Sequence, residues 1–105
     1  MTAAEEYYYE VAAKIPGITK GKMFGALCLK APNGKAFAMF WKDFMIFKLE
    51  VEAAQKAMDL QEACLFDPMG GRPMNGWIQL PFSQKEEWER IANEAYDFVK
   101  TIKVK

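Results

Sequence analysis

Apolar positions form two helical stripes near the ends of the chain and a dense, strand-like centre. Ala4, Tyr8, Val11, Ala12 and Ile15 recur at helical spacing. Thr2 with Glu5 three residues on fits a capping box, so a helix is predicted over residues 2–14, stopped by Pro16-Gly17. Tyr7 and Tyr9 fall off that stripe and are expected to pack only in part, at the helix edge. Trp88, Ile91, Ala92, Ala95, Phe98, Val99 and Ile102 make the second stripe. Ser83 with Glu86 forms another capping box, and the predicted helix runs from there to about residue 102, packed on a sheet. A short middle helix is predicted over residues 51–61, with Val51, Ala54 and Met58 inward and Glu50 and Glu52 near the positive end of its dipole.

The centre, residues 22–49, reads KMFGALCLKAPNGKAFAMFWKDFMIFKL. Asn33-Gly34 after Pro32 is a strong turn signal, because Pro presets φ and Gly takes the positive φ that closes a hairpin. A second turn is expected at Lys42-Asp43, giving three antiparallel strands. Residues 18–22 read as a short strand or an extended lead-in, residues 63–66 as a fourth strand and residues 77–80 as a fifth. Gly25 within a strand pattern points to a bulge. The predicted class is α+β: an antiparallel sheet of about five strands with N-terminal, middle and C-terminal helices, in the order α-β-β-β-α-β-β-α, as one domain over residues 1–105.

Alternation sorts these strands poorly. One parity of residues 35–41 gives Phe37, Met39 and Trp41, and the other gives Ala36, Ala38 and Phe40. A sheet with one solvated face shows polar residues on that face. Both faces here are apolar, so the second is expected to be covered by a curled sheet, by the loop over residues 67–76 or by a second subunit.

Half the residues are hydrophobic (51%) and 27% are charged, as in globular proteins rather than disordered ones. No apolar run reaches the roughly 20 residues that a membrane-spanning helix needs. The acidic start, MTAAEEYYYE, does not read as a secretory signal, and the expected location is cytoplasmic. Net charge is zero but unevenly spread: +6 over residues 14–49 and −6 over residues 50–97. Cys28 and Cys64 lie in strand-like stretches without metal-ligand spacing and are read as structural thiols.

Candidate chemistry is sparse. The chain has no histidine, which excludes Ser-His and Cys-His nucleophile pairs and the usual neutral-pH proton shuttle. The only serine, Ser83, is explained by helix capping. Gly70-Gly71-Arg72 lacks the spacing of a phosphate-binding loop. No catalytic residue, cofactor or metal is expected. What remains is a candidate contact surface around the Gly/Pro loop: Met69, Arg72, Met74, Asn75 and Trp77, together with Lys22, Lys30 and Lys48. Met, Arg and Trp are favoured at protein interfaces. A plug over one end of the core is the competing reading of that loop.

The step Met23-Phe24-Gly25, the hairpin at Gly34-Lys35 and the pair Phe47-Lys48 closing a short aromatic strand resemble the TfoX N-terminal-domain family, named for a bacterial regulator of competence. Phe66, the Gly/Pro loop and an aromatic strand from Trp77 ending in Pro81 extend the resemblance over nearly the whole chain. It implies a compact α+β domain with no agreed catalytic residues, and it marks Met23, Phe24, Gly25 and Lys48 as motif positions. The sequence stops at Lys105, without the second helical domain of full-length regulators, so a stand-alone member is expected. The expected function is a non-enzymatic interaction or regulatory module that contacts a protein, a second copy of the chain being one candidate. The alternative is a nucleic-acid-associated factor using the lysine-rich hairpins, with Phe24, Phe40 or Trp41 as stacking surfaces.

Overall fold

In the computed structural model, which describes residues 2–23, 26–67, 71 and 76–102, the first helix is α1 (Ala3–Ala13). It starts where Thr2 Oγ1 accepts the Glu5 N–H at 3.1 Å, as the capping box predicts. Ala4, Tyr8, Val11, Ala12 and Ile15 are all buried, while Tyr7 and Tyr9 are half-buried at the helix edge.

Six strands follow: β1 (Thr19–Met23), β2 (Ala26–Lys30), β3 (Ala36–Trp41), β4 (Phe44–Lys48), β5 (Cys64–Leu65) and β6 (Trp77–Pro81). Helix α2 (Val51–Met58) sits between β4 and β5, and helix α3 (Lys85–Val99) comes last. The sheet order is β1-β2-β3-β4-β6-β5, every pair antiparallel. The class is therefore α+β, with one strand more than predicted. The extra strand is β1, whose sequence TKGKM is too polar to show alternation. Its exposed Lys20 and Lys22 suit an edge strand, where charge discourages pairing with another chain.

Both predicted hairpins form. Pro32, Asn33 and Gly34 make a three-residue loop closed by the Ala31 N–H donating to the Lys35 carbonyl at 2.9 Å, with Gly34 at φ +83°. Asn33 does more than turn the chain: its Nδ2 donates to the carbonyls of Val99 (2.8 Å) and Ile102 (3.0 Å), capping the end of α3. The β3–β4 turn places both Lys42 (φ +50°) and Asp43 (φ +66°) in the left-handed region, the geometry of a tight two-residue hairpin.

Alternation fails because both faces of β3 and β4 are apolar and buried, and on β3 a bulge adds to it. Leu29 pairs with Ala38, but Lys30 pairs with Ala36, so Phe37 is an extra residue on β3. Phe37 and Ala38 consequently join the same core, on the helix side of the sheet, where Phe37 meets Tyr96 edge-on at 5.3 Å. Helix α3 packs across β3 and β4, and α1 packs beside it. Trp88, fully buried, forms the centre of this layer: its indole N–H donates to the Pro81 carbonyl at 3.2 Å, and Tyr7, Phe40 and Phe82 surround the ring. Burial of each such large side chain contributes roughly 1.5–3 kcal/mol.

The opposite face carries a smaller cluster of Cys28, Met39, Ile46, Phe66 and Trp77, none more than 8% exposed. Trp41 meets Phe66 edge-on at 6.0 Å over this face. Among the described residues the sheet is thus sealed on both sides. The opposite face leaves only Ala36, Trp41 and Phe44, of the described residues, half-buried at its margin, and Trp77 is buried in its cluster.

Three local expectations are corrected. A 3-10 turn (Phe82–Gln84) takes up Ser83, so α3 begins at Lys85 without a serine cap. Cys64, facing away from the main core on an edge strand, is exposed, whereas Cys28 is buried. In α2 the buried residue is Ala57, Ala53 and Ala54 pack beside it as expected of Ala54, and Val51 and Met58 point to water instead of inward.

Candidate functional site

That last reversal locates the site. Two large apolar side chains stand out as exposed among the described residues, Val51 (73%) and Met58 (40%), and both lie on α2. Seven positions apart, they share one helix face with the half-buried Ala54 between them. This stripe forms one wall of a groove of about 1090 Å³. Leu49 and Ile78, both buried, lie at its floor, and the half-buried Leu65 and Phe98 contribute from β5 and from the end of α3. With Lys48 from β4, five separate elements build the site.

The sequence explains why α2 stands off. Its anchoring residues, Ala53, Ala54, Ala57 and the following Leu60, hold the helix against the core. Val51 lies between Glu50 and Glu52 in the first turn, where both carboxylates favour solvent and the positive end of the dipole. Turning Val51 inward would draw that acidic turn toward apolar surface, which is costly for unpaired charges.

Gly76 closes the groove at the start of β6. Its carbonyl accepts the Leu49 N–H at 2.8 Å, and its φ is +85°. A Cβ there would lie 3.0 Å from Lys48 Nζ and 3.4 Å from the Leu49 carbonyl oxygen. The lysine end can swing aside and 3.4 Å is ordinary contact, so it is the left-handed φ that favours glycine here.

The charged rim is acidic. Glu50, Glu52 and Asp59 line the groove, against one lysine, Lys48. A smaller cleft alongside shares Glu50 and Phe98 with the groove and adds Glu94 and Asp97. Asp97 pairs with Lys100 at 3.2 Å and Glu94 with Arg90 at 3.2 Å, whereas Glu50, Glu52 and Asp59 form no ion pair with a described residue. Lys48 lies over the Trp77 ring, 5.8 Å from its centroid. The buried phenol of Tyr8 and the buried thiol of Cys28 do not line the groove, so its wall offers shape and surface charge rather than an enclosed reactive group.

Of the residues singled out from sequence, Lys48 and Trp77 are brought together as cross-strand partners. Met23 ends β1 opposite Ala26, separated from β4 by two strands. Phe24, Gly25, Arg72, Met74 and Asn75, and also Met69, lie outside the described residues. Phe40, offered as a stacking surface for a base, is buried between Tyr8 and Trp88, with ring centroids at 5.2 and 6.5 Å. Sequence reasoning missed the groove itself. The one available signal was Glu50-Val51-Glu52, a β-branched apolar residue between two acids at a helix start.

Among the described residues no group of three His, Cys, Asp or Glu is placed to hold a metal ion, and no helix is long and apolar enough to cross a membrane. Comparison of the chain with family models, with curated proteins and with solved structures found no match.

Proposed function

We propose that this chain is a non-enzymatic interaction module that docks a protein partner in the groove beside α2. The observation that carries this reading is the placement of Val51 and Met58, which face water along a groove with an apolar floor. Large contiguous apolar surface left open on a folded domain is characteristic of binding sites. A regulatory role is the part of the reading that rests on the motif resemblance to the TfoX N-terminal domains, carried by Met23-Phe24-Gly25 and Phe47-Lys48. The α+β element order is compatible with that resemblance.

A photo-crosslinking amino acid at position 51 or 58 tests the docking site. It should give the same discrete adduct in native cell extract from either position. The same probe at Lys20, on the far sheet edge, or at Glu86, at the far end of α3, should give none. Adducts of equal yield from all four positions, or none from 51 and 58, would overturn the assignment.

A further inference from the structure

Taking the docking groove as given, we propose that its occupant is a basic amphipathic helix: an apolar stripe seated against Val51 and Met58, flanked by Lys or Arg facing the acidic rim. Charge complementarity decides the sign. Glu50, Glu52 and Asp59 border the apolar wall, and none is ion-paired with a described residue. A partner bearing cations gains from them, while an acidic partner is repelled. The same argument disfavours a second copy of this chain across the groove, since a two-fold contact would set one acidic rim against the other. It disfavours nucleic acid for the same reason.

Shape decides between a helix and an extended strand. The sheet edge beside the groove is β5, only two residues long, too short to template an added strand through backbone hydrogen bonds. The groove instead presents side chains from α2 and the end of α3, the kind of wall on which a helix seats residues at i, i+3, i+4 and i+7. A small molecule fits less well. The volume, about 1090 Å³, lies at the upper end for such sites, and no buried polar side chain among the described residues converges on it.

The test is selection of a display library of helical peptides, roughly 14 residues long, on the immobilised full chain, with Lys, Gln or Glu allowed at the positions flanking a randomised apolar stripe. The double variant Val51→Lys/Met58→Lys, checked for retained circular dichroism, serves as counter-target. Selected peptides should carry Lys flanks, bind about tenfold more tightly than their Glu-flanked twins, and weaken severalfold as salt rises from about 50 to about 300 mM. Glu50→Gln/Glu52→Gln/Asp59→Asn should reduce binding about tenfold and remove most of the salt dependence. Neutral or Glu-flanked peptides that still require Val51 and Met58 would overturn the basic partner while leaving the groove standing. Selection of no peptide sensitive to Val51→Lys/Met58→Lys would overturn the groove itself, and a dimer abolished by that variant would replace the basic helix with a second copy.

Discussion

Helices α2 and α3 are both amphipathic, yet they use their apolar faces in opposite ways. Over fifteen residues α3 buries Trp88, Ile91, Ala92, Ala95 and Val99 against the sheet. Over eight residues α2 buries only Ala57 and leaves Val51 and Met58 in water. The difference lies in which residues do the anchoring. Large side chains fill the space above β3 and β4, whereas small ones let α2 rest against the domain and free its larger residues for another contact. A periodic stripe tells that a helix has an apolar face; it does not tell what covers it.

The largest test of this contrast is Trp88→Ala. Loss of a fully buried indole should cost about 3–5 kcal/mol, read as a lowered midpoint in denaturant. A loss near zero would mean that the α3 layer is not the seat of stability.

The next is alkaline pH. Burial pushes the Tyr8 phenol and the Cys28 thiol up from their ordinary values. Each keeps its proton in the folded state after the unfolded chain has released it, so stability is fully present below the ordinary values and falls above them. The fall begins at about pH 8.5 for the thiol and about pH 10 for the phenol, and above each value the slope approaches about 1.4 kcal/mol per pH unit. Tyr8→Phe should flatten the fall above about pH 10. An unchanged alkaline profile would contradict the burial of that hydroxyl.

Gly76→Ala comes third. It forces alanine into the left-handed region and should destabilise by about 1–2 kcal/mol, measured by thermal unfolding. The smallest expected effect falls on α2: Val51→Lys or Met58→Lys should change stability by no more than about 0.5 kcal/mol while abolishing docking. A large stability loss from either would make the α2 stripe a second core face and erase its difference from α3.

The long periodic segments were legible because one physical effect dominated each. All five residues of the α1 stripe are buried, and both hairpin turns sit where Gly34 and Lys42-Asp43 placed them. Misreadings arose where two effects compete in a short span. In α2, size favours burying Val51 and Met58, but tertiary fit selects Ala57 with Ala53 and Ala54 beside it. In β3 the bulge at Phe37 shifts the parity, which pattern alone cannot show. The strand β1 carries its pairing in the backbone, with little apolar signal in TKGKM. As for the candidate site, of the residues singled out from the sequence only Lys48 lines the groove among the described residues, and its floor comes from Leu49, Leu65, Ile78 and Phe98, residues that only the folded chain assembles.

The clasp made by Asn33 has a consequence for biosynthesis. Val99, whose carbonyl it holds, emerges from the ribosome sixty-six residues after it. The first four strands are therefore translated long before the helix that roofs them, and their oily side must wait uncovered until α3 arrives. The Asn33 carboxamide can act only once Val99 and Ile102 have emerged, so it seals the roof after synthesis and does nothing for the strands while they wait.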